Sequence, residues 1–310
     1  MGLAALRFLR RLWLVPALAL ALEPAAAAPP AAKPAAVQDY EPRPAIWLLA
    51  DEDTKIYLFG TTHLLPPGCK WRSPAFDAVA KEADALAVET YIPPEEEDDP
   101  SFLRAVMLET PVPILKRVPK KDRAALKAAV AASGLAANDL AHVKTWMAAV
   151  FLGIAQQLDG WGVEEPGDAP GVEDVIEAEF RAAGKAILSV EEPTAGLDAF
   201  DAMSEREQVT LLLEAIAAPA ADAELDPAAE DRAWATGRFE ERWDTFMKDF
   251  PPVLYDGLVT KRNAAWTVWL EERLKKPGTL LFAVGAAHLA GPDSVQKMLA
   301  ARGLEARRFD

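Results

Sequence analysis

The chain has 310 residues, of which 51% are hydrophobic, and its 33 basic and 48 acidic residues give a formal charge of −15. This composition predicts a folded protein with a substantial core rather than a disordered chain, and the acidic balance argues against nucleic-acid binding, which needs a basic surface. A single cysteine excludes an internal disulfide and a cysteine-based zinc site, while the three histidines are few enough to be considered one by one.

The first 28 residues predict a secretory signal peptide. Three arginines precede an apolar run at residues 12–22, and small residues follow it. Because a membrane-spanning helix needs about 20 apolar residues, we expect cleavage rather than a retained anchor. The mature protein is then periplasmic or secreted, free of the membrane, and carries a net charge of −17 after the loss of three arginines and one glutamate. Residues 29–44, rich in alanine and proline, predict a flexible linker.

The mature chain opens with strand-like and helical patterns. Two short β-rich runs predict a hairpin, and a Ser-Pro pair then predicts the start of a helix. An apolar run that ends at Glu89 predicts the next strand. Residues 56–89 therefore predict a strand–helix–strand crossover. The hairpin strands are predicted at residues 46–50 and 55–59, and the next strand at residues 85–88.

The middle of the chain predicts mostly helices. One of them follows a capping box formed by Ser204 and Glu207. The other predicted helices lie at residues 101–109, 120–133, 139–158, 172–183, 228–237, 239–249, 257–275 and 293–302. Further strands are predicted at residues 186–190, 280–284 and 304–309.

These elements predict an α/β fold for residues 45–310. We expect a mixed central sheet built from two pseudo-repeated units, each with the order strand, GxxH, helix, strand. Helical insertions at about residues 101–165 and 201–275 are expected to form a lid region between the units.

The most informative feature is a motif that occurs twice. Residues 60–67 and 285–292 share the pattern G-[TA]-[TA]-H-L-[LA]-x-P, and each copy follows an apolar strand. Its glycines, Gly60 and Gly285, allow a sharp turn or a close approach to a ligand. Its histidines project at the carboxyl ends of strands, where ligands bind in open α/β sheets. One GxxH is a weak signal, but its repetition in one context favours a functional site.

His63 and His288 are the motif histidines, and charged residues complete the candidate site. Glu89 and Glu191 also stand at the ends of apolar strands. Two histidines with a carboxylate are a common ligand set for a divalent metal and also a common acid–base set. His142 has no such context, so we interpret it as structural.

Arg262 lies on the apolar stripe of its predicted helix and therefore needs an acid or a bound anion as a partner. A structural ion pair, a snorkelling side chain, a contact with a catalytic carboxylate and a contact with a substrate oxygen all remain open. Asn263, its neighbour, could share that role.

Over residues 45–309 the chain resembles the TraB/GumN family, which is related to the Tiki proteases and more loosely to erythromycin-esterase and ChaN-like proteins. The resemblance rests on the sequences at residues 57–63, 85–89 and 284–292, and on Arg262-Asn263 followed by Trp266.

Two positions depart from the family pattern. Glu173 stands where the family has aspartate after Gly171-Val172, and we interpret it as a first-turn acid that suits the helix dipole. Glu191 lies in a Val-Glu-Glu run where the family has Leu-Glu-Thr.

The resemblance implies a metal-dependent hydrolase of the Tiki type, acting on a peptide, amide or other small-molecule substrate. We expect His63, His288 and Glu89 to bind a divalent ion such as Mn, Co or Zn, with Glu89 also able to act as general base. Arg262 would hold a substrate carbonyl or carboxylate. The alternatives are a non-catalytic ligand- or haem-binding protein of the ChaN-like type, and an accessory factor in envelope or polysaccharide biogenesis. The residues expected around the site are Gly60, Gly285, Asn263 and Glu191.

Overall fold

The computed structural model describes residues 38–93, 101–163, 169–217, 227–248 and 250–310. The predicted signal peptide and most of the predicted linker lie outside these residues. The described strands are β1 (Ile46–Ala50), β2 (Thr54–Thr61), β3 (Ala85–Val88), β4 (Ala186–Ser189), β5 (Gly278–Gly285) and β6 (Arg307–Arg308).

Helices connect the strands, and the predicted mixed α/β class is confirmed. Short 3₁₀ turns lie at Lys120–Asp122, Phe239–Arg242 and Ala286–Leu289, and a π-helical turn at Asp256–Thr260 leads into α13. The described α-helices are α1 (Pro74–Glu82), α2 (Ser101–Val106), α3 (Ile114–Arg117), α4 (Arg123–Ala132), α5 (Ala137–Leu140), α6 (Thr145–Trp161), α7 (Val172–Ala182), α8 (Leu197–Asp201), α9 (Glu205–Ala215), α10 (Pro227–Ala235), α11 (Trp243–Phe246), α12 (Pro252–Tyr255), α13 (Lys261–Leu274) and α14 (Val295–Ala301).

The sheet has the strand order β4-β3-β5-β2-β1-β6. Strands β2 to β5 are mutually parallel where they pair, and β1 is antiparallel to β2 and β6. The predicted β1–β2 hairpin is therefore confirmed. Because β5 lies between β2 and β3, the chain from β2 to β3 crosses over one strand. Thr61 is paired with Gly285, so both motifs lie at the same carboxyl edge of the sheet.

The predicted pseudo-repeat is not confirmed by the topology. The strand after the first motif, β3, is an interior strand parallel to β5. The strand after the second motif, β6, has two residues and pairs antiparallel with β1. The two motifs thus share an edge and a local sequence but stand in different structural contexts.

The sheet is covered by apolar side chains on both faces. Alternation along β2 sends Tyr57 and Phe59 to one face, with Phe76 and α7, and sends Leu58 to the other, with Trp266 of α13. A third apolar cluster, built from α2–α6, α8 and α9, surrounds the buried Trp146 of α6 and belongs largely to the predicted insertions. Among the described residues, no helix is long and apolar enough to cross a bilayer.

Candidate functional site

Both motif glycines are sites of close approach. A Cβ atom on Gly60 would lie 3.0 Å from the Cα atom of Ala286, so the first motif leaves no room for a side chain beside the second. A Cβ atom on Gly285 would lie 3.2 Å from Oε1 of Glu89, 3.5 Å from Cδ2 of His288 and 3.9 Å from Nε2 of His63. The structure therefore brings three predicted site residues together around Gly285.

Glu89 follows β3 and has a donor on each oxygen. Its Oε1 accepts a hydrogen bond from the Gly285 N–H at 2.7 Å and lies 3.6 Å from Nε2 of His288, while its Oε2 accepts from Nη2 of Arg262 at 2.6 Å. Burial alone would raise the pKa of Glu89, but Arg262 and the two histidines lower it well below its usual range. The carboxylate is therefore ionised at neutral pH.

Arg262 uses all five of its N–H donors within the chain. Nε donates to Glu191 at 3.0 Å, Nη2 donates to both Glu89 and Glu191, and Nη1 donates to the Leu258 carbonyl at 3.3 Å and to Nε2 of His288 at 3.2 Å. Of the roles that the sequence left open, the structure shows a contact with carboxylates, those of Glu89 and Glu191. No donor remains for a substrate oxygen.

Glu191, at the end of β4, is the second carboxylate on Arg262. Its Oε2 also accepts from the indole Nε1 of Trp266 at 3.0 Å, and its N–H donates to the Glu89 carbonyl at 3.2 Å. Burial raises the pKa of Glu191, and the hydrogen bonds from Arg262 oppose that rise. The Cζ atom of Arg262 also lies over the Trp266 ring, 4.7 Å from the ring centroid.

His288 is buried, and both of its ring nitrogens have partners. Asn263 uses its Nδ2 to donate to the carbonyls of His288 and Asp293 at 3.2 and 2.8 Å, so its Oδ1 accepts from Nδ1–H of His288 at 2.7 Å. This tautomer leaves a lone pair on Nε2, which faces Arg262. Burial lowers the pKa of His288 to about 4, so the ring is neutral at pH 7.

His63, in contrast, lies at the open side of the site, with 73% of its side chain exposed. Its Nδ1–H donates to Oε1 of Glu173, and this carboxylate raises the pKa of His63. The sequence argument treated Glu173 as a helix-dipole residue and missed this contact. The sequence signal at this position is an acid after Gly171-Val172 at a helix start, where the family has aspartate, and it does not identify His63 as the partner.

A comparison with known families identifies the family of the chain. A model of the TraB/PrgY/gumN family matches residues 45–308. The chain belongs to the TraB/PrgY/gumN family. No curated protein and no solved structure matches it. The match confirms the family resemblance and covers every residue of the candidate site.

The donors of this TraB/PrgY/gumN-family site are of the types that bind divalent cations. Both histidines have Nδ1 engaged by an acceptor, as metal-binding histidines do, which leaves the two Nε2 atoms and a Glu89 oxygen near Gly285. The acids Glu89, Glu191 and Glu173 outnumber the cations Arg262 and His63 by one negative charge. Among the described residues, however, no group of three or more His, Cys, Asp or Glu side chains is arranged to hold a metal ion, and Arg262 occupies the lone pair of His288.

Proposed function

We propose that this protein is an exported, metal-dependent hydrolase of peptide or amide bonds whose working residues are His63, Glu89 and His288. The observation that carries the proposal is their convergence on Gly285, where the absence of a side chain leaves space beside an ionised carboxylate and two ring edges. The donor types support a divalent ion such as Mn, Co or Zn. Nε2 of His63, Glu89 and Nε2 of His288 would hold it, and the last requires the hydrogen bond from Arg262 to His288 to open.

In this proposal the chain's own groups have separate roles. A bound divalent ion would supply Lewis acidity and would lower the pKa of water. Arg262 keeps the Glu89 carboxylate ionised and fixed, and Asn263 fixes the tautomer of His288. His63, exposed at the edge of the site, meets the substrate first, and the helices of the predicted insertions select it. Without an ion, the same side chains form an acid–base pair: His63, protonated beside Glu173, donates to the leaving group while Glu89 accepts from water.

Metal content is the first test of this function. Purified protein is exchanged into buffer containing Mn, Co or Zn, desalted and analysed for bound metal. We expect about one ion per chain in the wild type and a loss in His63→Ala and in His288→Ala. The third histidine supplies the matched control: His142 lies between α5 and α6, in the helical cluster, so His142→Ala should keep the ion.

Turnover is the second test, made with a panel of free and blocked peptides followed by mass spectrometry. We expect cleavage by the wild type and by His142→Ala, and none by His63→Ala at an unchanged thermal melt. Glu89→Gln should also be inactive, with a lower melt because it loses its ion pair with Arg262. Activity without any bound metal would rule out the metal-dependent mechanism and favour the acid–base mechanism of His63 and Glu89. Full activity in both His63→Ala and His288→Ala would overturn the site itself. A Soret absorption band that disappears in His63→Ala would instead favour the haem-binding alternative.

A further inference from the structure

The N-terminus of α7 is docked on the loop that carries His63. The Val172 N–H donates to the Thr62 carbonyl at 2.9 Å. A Cβ atom on Gly171 would lie 2.6 Å from the carbonyl oxygen of His63. Two segments more than one hundred residues apart therefore touch backbone to backbone, and only glycine at position 171 permits this approach.

This contact delivers Glu173 to the ring of His63. Their hydrogen bond joins Oε1 to Nδ1, and the ring's other nitrogen, Nε2, faces Gly285 at 3.9 Å from its Cβ position. The His63 side chain is largely exposed, whereas that of Glu173 is 18% exposed. Because an exposed ring is free to rotate, the bond to a fixed carboxylate decides which way Nε2 points.

A capping role does not account for Glu173, because its neighbour already provides the cap. Oδ2 of Asp174 accepts from the Gly171 N–H at 2.8 Å. The second oxygen of Glu173, Oε2, is buried and has no hydrogen-bond partner within the described part of the chain. Burying a carboxylate with one unpaired oxygen is unfavourable, so its placement is better explained by the bond to His63.

We propose that Glu173 is a positioning residue, which holds the His63 ring with Nε2 directed at Gly285 and Glu89. The proposal rests on the proposed function in one respect, namely that His63 is a working side chain. Glu173 itself touches neither substrate nor reacting atoms. It acts through the orientation of His63, and α7 is the element that sets this orientation.

Nitrogen-15 NMR of histidine-labelled protein tests the ring position directly and without a substrate. With three histidines in the chain, each ring is assigned by the signal lost in His63→Ala, His142→Ala or His288→Ala. We expect a hydrogen-bonded Nδ1–H signal from His63 in the wild type, its loss in Glu173→Ala and its retention in Asp174→Ala. We expect Asp174→Ala to have a lower thermal melt than Glu173→Ala, since Asp174→Ala removes the cap of α7. An unchanged His63 signal in Glu173→Ala overturns the proposal.

Zinc affinity, measured by competition with a chromophoric chelator, separates this proposal from the proposed function. We expect Glu173→Ala to weaken binding about 10- to 100-fold, as removal of a histidine's second partner does, and Asp174→Ala to leave it unchanged. If the wild type binds no zinc, the metal-dependent function fails, and the NMR comparison still decides the role of Glu173. If Glu173→Ala does not fold, the near-isosteric Glu173→Gln replaces it, with a displaced His63 signal expected and an unchanged one overturning the proposal.

Discussion

At the residue scale, Arg262 is the side chain on which the site's electrostatics depend. It is 14% exposed and forms ion pairs with two carboxylates, Glu89 and Glu191, that are 18% and 10% exposed. Arg262→Met leaves both carboxylates buried without their cation, so we expect the free energy of unfolding to fall by about 3–5 kcal/mol. Urea unfolding followed by circular dichroism measures the change.

An exposed arginine supplies the matched control. Arg302 pairs with Glu271 at the surface, with side chains 44% and 35% exposed, so Arg302→Met should cost less than about 1 kcal/mol. Equal losses in the two variants would mean that the ion pairs of Arg262 contribute no more than a surface pair does.

Gly285 allows a test of the space around which the site is built. In Gly285→Ala the new methyl group meets Oε1 of Glu89 at 3.2 Å and displaces it or the neighbouring rings. We expect metal binding and turnover to fall at least about tenfold, while the thermal melt changes little, since the φ angle of Gly285 is not positive. Gly160→Ala, whose Cβ meets nothing within 4 Å, should change neither. Retained binding in Gly285→Ala would show that this space is not used.

The site residues differ in how far a sequence could reveal them. His63, His288 and Glu89 follow apolar strands, and strand ends are recognisable, so their shared edge could be predicted. The partner of Arg262 could be narrowed to an acid or a bound anion but not identified, since the acids that reach it depend on the order of the strands. The contact of Glu173 with His63 could not be predicted, because it depends on the docking of α7 across 110 residues.

At the element scale, local patterns predicted most elements but not their interruptions. The helix expected at residues 139–158 is divided into α5 and α6. Between them the carbonyls of Ala141 and Val143 accept hydrogen bonds from the Arg117 guanidinium, and the His142 carbonyl accepts from the Leu108 N–H. These tertiary hydrogen bonds replace helical ones. Their donors lie outside residues 139–158, so the pattern within that range does not predict the interruption.

Helix α7 also carries a pH-dependent element. Burial, together with Asp174 and Glu173, raises the pKa of Glu177 from 4.5 to about 8. The unfolded chain loses this proton at lower pH than the folded chain, so the free energy of unfolding falls as the pH rises from about 4.5 to about 8. We expect Glu177→Gln to be more stable than the wild type by up to about 5 kcal/mol near pH 9 and equal to it near pH 4. Thermal melts across this range measure the difference.

Glu214, an exposed glutamate on α9, is the control for the effect of burial on Glu177. Glu214→Gln should follow the wild type at every pH. If Glu177→Gln also follows it, the ion pair of Glu177 with Arg181 offsets the burial and the acidic neighbours, and the predicted pH dependence is wrong.

At the scale of the whole molecule, the acidic charge and the N-terminal sequence bear on where the protein works. The family match begins at residue 45, so the proposed removal of residues 1–28 leaves every matched residue in place. It also makes the net charge more negative, −17 instead of −15, and a more negative surface disfavours polyanionic partners.

Export can be tested with the full chain carrying a C-terminal tag in a Gram-negative host. We expect osmotic shock to release a product whose N-terminus, read by mass spectrometry, lies close to residue 29. This product should have the same thermal melt as the unprocessed protein. In Leu18→Arg a charge interrupts the apolar run that the export machinery recognises, so this variant should stay unprocessed in the cytoplasm. Full-length protein in the membrane fraction would point to a retained anchor, and wild-type protein left in the cytoplasm would contradict export. Because the site residues all lie beyond residue 45, neither result would alter the tests of His63, Glu89 and His288.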